Sequence, residues 1–163
     1  MGKQSLKRRL AIAHHEAGHA VAAFRAGREI REVCIAAVTD DPRYDGNIQH
    51  NNPLYGQHLE AGDERLSDYY GGELIIALAG PEAERRHDSV TGIAGNDLDV
   101  AQEILDRFVG SGVERESLLR LAQRETRDLV NREWPAIERV AAALLRHGRL
   151  TGGQLAQLIR EGA

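Results

Sequence analysis

The strongest constraint on this chain is a helix-period apolar stripe that carries a pair of histidines at its centre. From Ser5 to about Gly27, Leu6, Leu10, Ala13, Ala17, Ala20, Val21 and Phe24 recur at spacings of three and four, which places them on one helix face. Ser5 suits the N-cap and Gly27 the stop. Midway along runs His15-Glu16-Ala17-Gly18-His19. Histidines four apart project from the same face, one turn apart, and can share a metal ion.

Composition narrows what can surround this helix. A length of 163 residues suits one domain, 1–163, with enough chain for an ordinary core. It divides into a metal-site half, about 1–110, and a helical C-terminal half, about 111–163. A net charge of −4 argues against a nucleic-acid binder, which usually carries a basic patch or stripe. The single cysteine, Cys34, excludes a disulfide framework and any thiolate zinc finger. It reads as a small core residue. The 21 basic residues include only two lysines, Lys3 and Lys7. Neither follows a glycine-rich loop, which excludes a P-loop ATPase. No apolar h-region follows the basic start, Leu6 stands where myristoylation requires Ser or Thr, and the longest apolar run, Leu74 to Ala79, is far short of a membrane span. The expectation is a cytoplasmic protein with no membrane span.

Elsewhere the pattern is mostly helical. Val33 to Val38 is a short β-branched run ended by Asp40, Asp41 and Pro42, hence a strand. Residues 39–64 are polar and without clear period, with a second short strand around Gly46 to His50. About Arg65 to Arg86 reads as a helix, with Pro81 as an alternative start of a new turn. Asn96 to Val109 forms a further helix on Leu98, Ala101, Ile104, Leu105 and Phe108, capped by Asn96 and stopped by Gly110. Ser111 and Glu114 have capping-box spacing. They open a long helical stretch that Pro135 bends or restarts. Thr151 and Gln154 form a second capping box, before a short last helix through Leu155, Leu158 and Ile159. The fold class is mainly α (α+β): helices with a small β-sheet and a helical C-terminal half.

The chemistry centres on the first helix. Zinc favours imidazole nitrogen, and a catalytic site keeps three protein ligands and an open position. Glu16 adjoins the first histidine, where it can accept a proton from a water on the metal. A purely structural site has no need of that carboxylate. His14 reads as a packing or supporting group. Spacing alone does not choose the third ligand, for which His50, His58, His87, Glu82, Glu84, Asp88, Asp97 and Asp99 are candidates. Asp97 has the best local context, Thr91-Gly92-Ile93-Ala94-Gly95-Asn96-Asp97-Leu98, where glycines allow close backbone approach. An aspartate in a first helical turn is also stabilised by the dipole without any metal.

The run HEAGHA, followed by TG..GNDL and an amphipathic helix, resembles the zinc peptidase domain of the FtsH-type AAA proteases, here without the ATPase module. Leu78-Ala79-Gly80-Pro81-Glu82-Ala83-Glu84 looks like that family's LGGR.AE element, and VAAALLRHGRLTGGQL resembles its closing helix and turn. The resemblance implies a zincin-like domain holding one Zn²⁺ per chain through His15, His19 and Asp97, with Glu16 as general base. It also implies that Glu84 fixes a ligand imidazole. Two departures stand out. One more residue lies between Gly92 and Asn96 than in the family's pattern, and the chain enters its long helix directly after Gly112.

The implied function is a zinc metalloendopeptidase of HExxH type, working without its own ATP motor on unstructured polypeptides. A separate unfoldase or regulatory protein, or a second copy of the chain, is a candidate partner. Tyr55, His50, His58 and His87 are candidates to stabilise the oxyanion, against surface or packing roles. Val33 to Val38 could pair with an extended substrate or be an interior strand. The alternatives are a catalytically silent zinc-binding interaction domain and a zinc hydrolase acting on a non-peptide amide.

Overall fold

In the computed structural model, the first helix is the axis on which the other elements pack. The structure describes residues 3–35, 46–58, 60, 63–87, 95–108 and 112–161. Helix α1 spans Lys3–Arg25. It begins before Ser5, which therefore lies in its first turn and is not the cap. Every residue from 11 to 23 is buried, so α1 is enclosed on all sides over that stretch, and the one-face stripe understates it. Such enclosure requires small side chains, and Ala11, Ala13, Ala17, Ala20, Ala22 and Ala23 supply them. Gly27 adopts the left-handed conformation that ends the helix, at φ 70°.

Strand β1, Ile30–Ile35, starts three residues before the expected strand, and residues 36–38 lie outside the described part. Strand β2 is Gly46–His50, as the sequence suggested. A third strand, β3, Arg149–Thr151, escaped the sequence reading because three residues carry too little period to be recognised. The order is β2-β1-β3 with antiparallel pairing throughout. Val33 faces Ile48 on one side and Leu150 on the other. The described part of β1 is thus interior, with both edges taken. Of the two readings of this run, the interior strand holds for Val33 to Ile35.

Helix α2, Glu64–Arg86, is capped by Asp63, whose carboxylate accepts from the Arg65 N–H at 2.9 Å. Pro81 stays inside it and starts no new turn. Helix α3, Gly95–Phe108, already includes Asn96, which is therefore not its cap. Helix α4, Val113–Arg132, has Gly112 at its N-cap with no side-chain capping bond. Gly110 and Ser111, the expected stop and cap, lie outside the described residues. Helix α5, Trp134–His147, restarts the chain at Pro135, where the missing N–H costs nothing. Helix α6, Gly152–Arg160, carries the expected capping box between Thr151 and Gln154.

The main core joins α1 to α5, α6 and the sheet through Val21, Val33, Ile137, Val140, Leu144, Leu150 and Leu155. A second, smaller cluster joins α2 to α3 and α4 through Leu74, Leu78, Ala101, Leu105 and Ala122. The protein is mainly helical with a small three-stranded sheet. Among the described residues no helix is long and apolar enough to cross a membrane.

Candidate metal centre

Helices α1 and α2 meet closely because their facing residues are small. A Cβ on Gly18 would come within 2.5 Å of the Ala79 carbonyl oxygen and 2.7 Å of the Ala83 Cβ. Only a glycine permits that approach. It brings His15, Glu16 and His19 of α1 against the middle of α2, where all three are buried together with Glu84.

Buried imidazoles require partners. His15 Nδ1 lies 3.2 Å from Glu84 Oε2, and His19 Nδ1 lies 2.7 Å from the Ile76 carbonyl oxygen. A carbonyl oxygen only accepts, so His19 Nδ1 carries the proton. Ionised Glu84 assigns the same tautomer to His15. Each neutral ring then turns the lone pair of its Nε2 into one shared space. The two Nε2 atoms stand 3.0 Å apart. Asp97, in the first turn of α3, completes the group with Oδ2 2.8 Å from His15 Nε2 and Oδ1 3.4 Å from His19 Nε2.

Two lone pairs and a carboxylate repel one another until a cation enters. A proton is the smallest cation that can do so. Burial disfavours a charge on His15, but hydrogen bonds to Asp97 and Glu84 outweigh it and raise its pKa to about 9. Burial also opposes the charge on Asp97, yet both imidazoles and the helix N-terminus hold its carboxyl well below the usual carboxylate range. The donor set fits a metal ion equally well. Ligand atoms of His15, His19 and Asp97 lie within 4.8 Å of one another. Tetrahedral zinc, with ligands at about 2.0–2.2 Å, needs them roughly 3.4 Å apart. Asp97 keeps 21% of its side chain exposed, which leaves the centre open on that side.

The other sequence candidates fall elsewhere. His14 donates from Nδ1 to the Leu10 carbonyl at 2.8 Å, and its ring stacks on His87 and Trp134. Burial lowers its pKa and keeps it neutral. His14 and His87 thus form a packing ladder that joins α1, α2 and α5. His50 lies 3.9 Å from Glu73, Glu82 pairs with Arg85, and His58, Tyr55 and Asp99 are exposed. Asp88 lies outside the described residues. Sequence reasoning missed the Ile76 carbonyl as the anchor of His19. A main-chain oxygen has no residue signature, and Ile76 reads as core.

No protein-family model matches this chain, and a search of curated proteins finds no relative.

Proposed function

We propose that this chain is a zinc-dependent metallopeptidase of HExxH type, similar to the peptidase domain of FtsH-type proteases, that hydrolyses unstructured polypeptides. One observation carries the reading. His15, His19 and Asp97 converge with both Nδ1 atoms already committed, and Glu16 is buried beside them. When bound, zinc supplies Lewis acidity towards a water and a scissile carbonyl. Glu16 takes the proton of the attacking water and hands it to the leaving amine. Glu84 and the Ile76 carbonyl keep both imidazoles in the tautomer that turns Nε2 inward.

The sheet supplies a place for substrate backbone. Among the described residues β2 is one of the two edge strands of the sheet, and its first residue, Gly46, lies against Glu16. An extended polypeptide that added to this edge would run past the general base. Only a segment free of its own secondary structure can offer unpaired N–H and C=O groups there, hence the preference for unstructured substrates. A separate unfoldase or regulatory protein is the candidate partner.

The test compares Glu16→Gln with His19→Ala in zinc content and in cleavage of an unfolded protein. Glu16→Gln is expected to keep its zinc and lose cleavage by about 100-fold or more. His19→Ala is expected to lose both. Full cleavage by Glu16→Gln would sink the mechanism.

A further inference from the structure

Two glycines outside α1 touch the working side chains of that helix, and neither is required by its own backbone. Gly46 opens strand β2 and Gly80 lies within α2. Neither has the positive φ that favours glycine. In both settings glycine weakens the element that contains it. The cost has a counterpart in space. A Cβ on Gly46 would stand 2.5 Å from Cγ, Cδ and Oε1 of Glu16. A Cβ on Gly80 would strike the His19 ring, 2.6 Å from Cε1 and 2.7 Å from Cδ2. Real Cβ contacts are never that short, so either side chain would have to leave its place.

We propose that Gly46 and Gly80 are positioning residues, whose bare backbones form the seats of the Glu16 carboxylate and the His19 imidazole. The inference deepens the peptidase reading and rests on it for the role of Glu16. The two seats differ in what they protect. Glu16 has rotatable bonds, so an alanine at 46 displaces the carboxylate and leaves the fold intact. His19 donates to the Ile76 carbonyl, one turn before Gly80 on the same helix. An alanine at 80 turns the ring off that acceptor and swings Nε2 away from His15 and Asp97. In a bare helix the same substitution would strengthen α2, since alanine is the better helix former. A role confined to the backbone of α2 therefore predicts unchanged or improved stability, and one confined to helix packing predicts lower stability of the metal-free protein with zinc affinity kept.

The experiment measures zinc affinity by competition with a chromogenic chelator, thermal unfolding of the metal-free protein, and cleavage of an unfolded protein. Gly80→Ala is expected to lose zinc affinity by about 10–100-fold while still unfolding cooperatively. Gly46→Ala is expected to bind zinc as the wild type does and to lose kcat by about 100-fold at unchanged KM. Added to Glu16→Gln, Gly46→Ala is expected to cost nothing further, because its target is already disabled. Wild-type zinc affinity in Gly80→Ala overturns the His19 seat. Wild-type kcat in Gly46→Ala, or an equal further loss in the Glu16→Gln background, overturns the Glu16 seat. A wild-type protein that binds zinc and cleaves nothing rejects the peptidase reading and the Gly46 role with it. The Gly80 seat is then still decided by zinc affinity.

Discussion

The two helices that supply the candidate metal centre are held in very different ways. Helix α1 brings His15, Glu16 and His19 on a segment buried from residue 11 to 23, enclosed by α2, α5 and the sheet. Helix α3 brings Asp97 and rests on α2 through Ala101 and Leu105, with Leu98 and Val100 exposed. It shares that small cluster with Ala122 of α4, and Arg115 of α4 bonds Asp106 and Gln102 at the surface. The α1 side chains are thus preorganised by the main core, whereas Asp97 is delivered by a lightly docked element. Metal binding and the docking of α3 should therefore reinforce each other, since an ion that joins His15 and His19 to Asp97 also joins α3 to the core.

Ligand substitution separates the two regions most sharply. His19→Ala is expected to abolish measurable zinc binding. Asp97→Ala should retain binding weakened by about 10–100-fold, because a water can replace a single, partly exposed carboxylate. Equal losses in the two variants would show that α3 is as much a part of the preformed site as α1. Zinc titration by competition decides it.

The pH dependence of zinc binding is the next effect in size. His15 carries a proton up to about pH 9 in the metal-free protein, and zinc must displace it. Affinity should rise with pH by about tenfold per unit, hence roughly 100-fold between pH 6 and 8. The metal-free protein should behave in the opposite sense. The raised pKa of His15 contributes stability that is full below the unfolded value of 6.5 and is lost as pH rises through about 9. Chelator competition across pH, with thermal unfolding beside it, checks both signs. An affinity that is flat with pH would show that Asp97 and Glu84 do not hold a proton on His15.

The smallest effect concerns the surface link of α3. Arg115→Ala removes an exposed ion pair with Asp106, a class worth about 0–1 kcal/mol. It should speed amide exchange in α3 by no more than a few-fold and leave α1 unchanged. Saturating zinc should slow exchange in α3 far more than in the buried part of α1, residues 11–23, where protection is expected to be highest already. Equal protection of both helices without zinc would remove the contrast between them.

Much of this architecture was legible because local rules and tertiary packing agree. The stripe in α1, the restart at Pro135 and the capping box at Thr151 and Gln154 all stand where period and side-chain chemistry place them. The readings failed where a single polar residue was asked to mark the start of a helix. Ser5 and Asn96 have the chemistry of a cap, yet both lie inside their helices. Strand β3 is three residues long and exists because β1 offers it a partner. The site divides in the same way. His15, Glu16 and His19 are neighbours through helical geometry alone, while Asp97, Glu84 and the Ile76 carbonyl reach them only through the packing of α2 and α3.

What the sequence determined by itself is therefore the half of the centre that lies within one helix, together with the mainly helical class of the fold. A spacing of four residues is also a distance in space as soon as a helix forms, so no other element need be known. Only the tertiary structure decided which of eight candidate groups joins the two histidines, which tautomers the imidazoles adopt, and which strands lie at the edges of the described sheet. Those outcomes depend on how close two backbones can come. Glycines at 18, 46 and 80 set that approach through the side chains they lack, and an absent side chain leaves no pattern along a chain for period or spacing to detect.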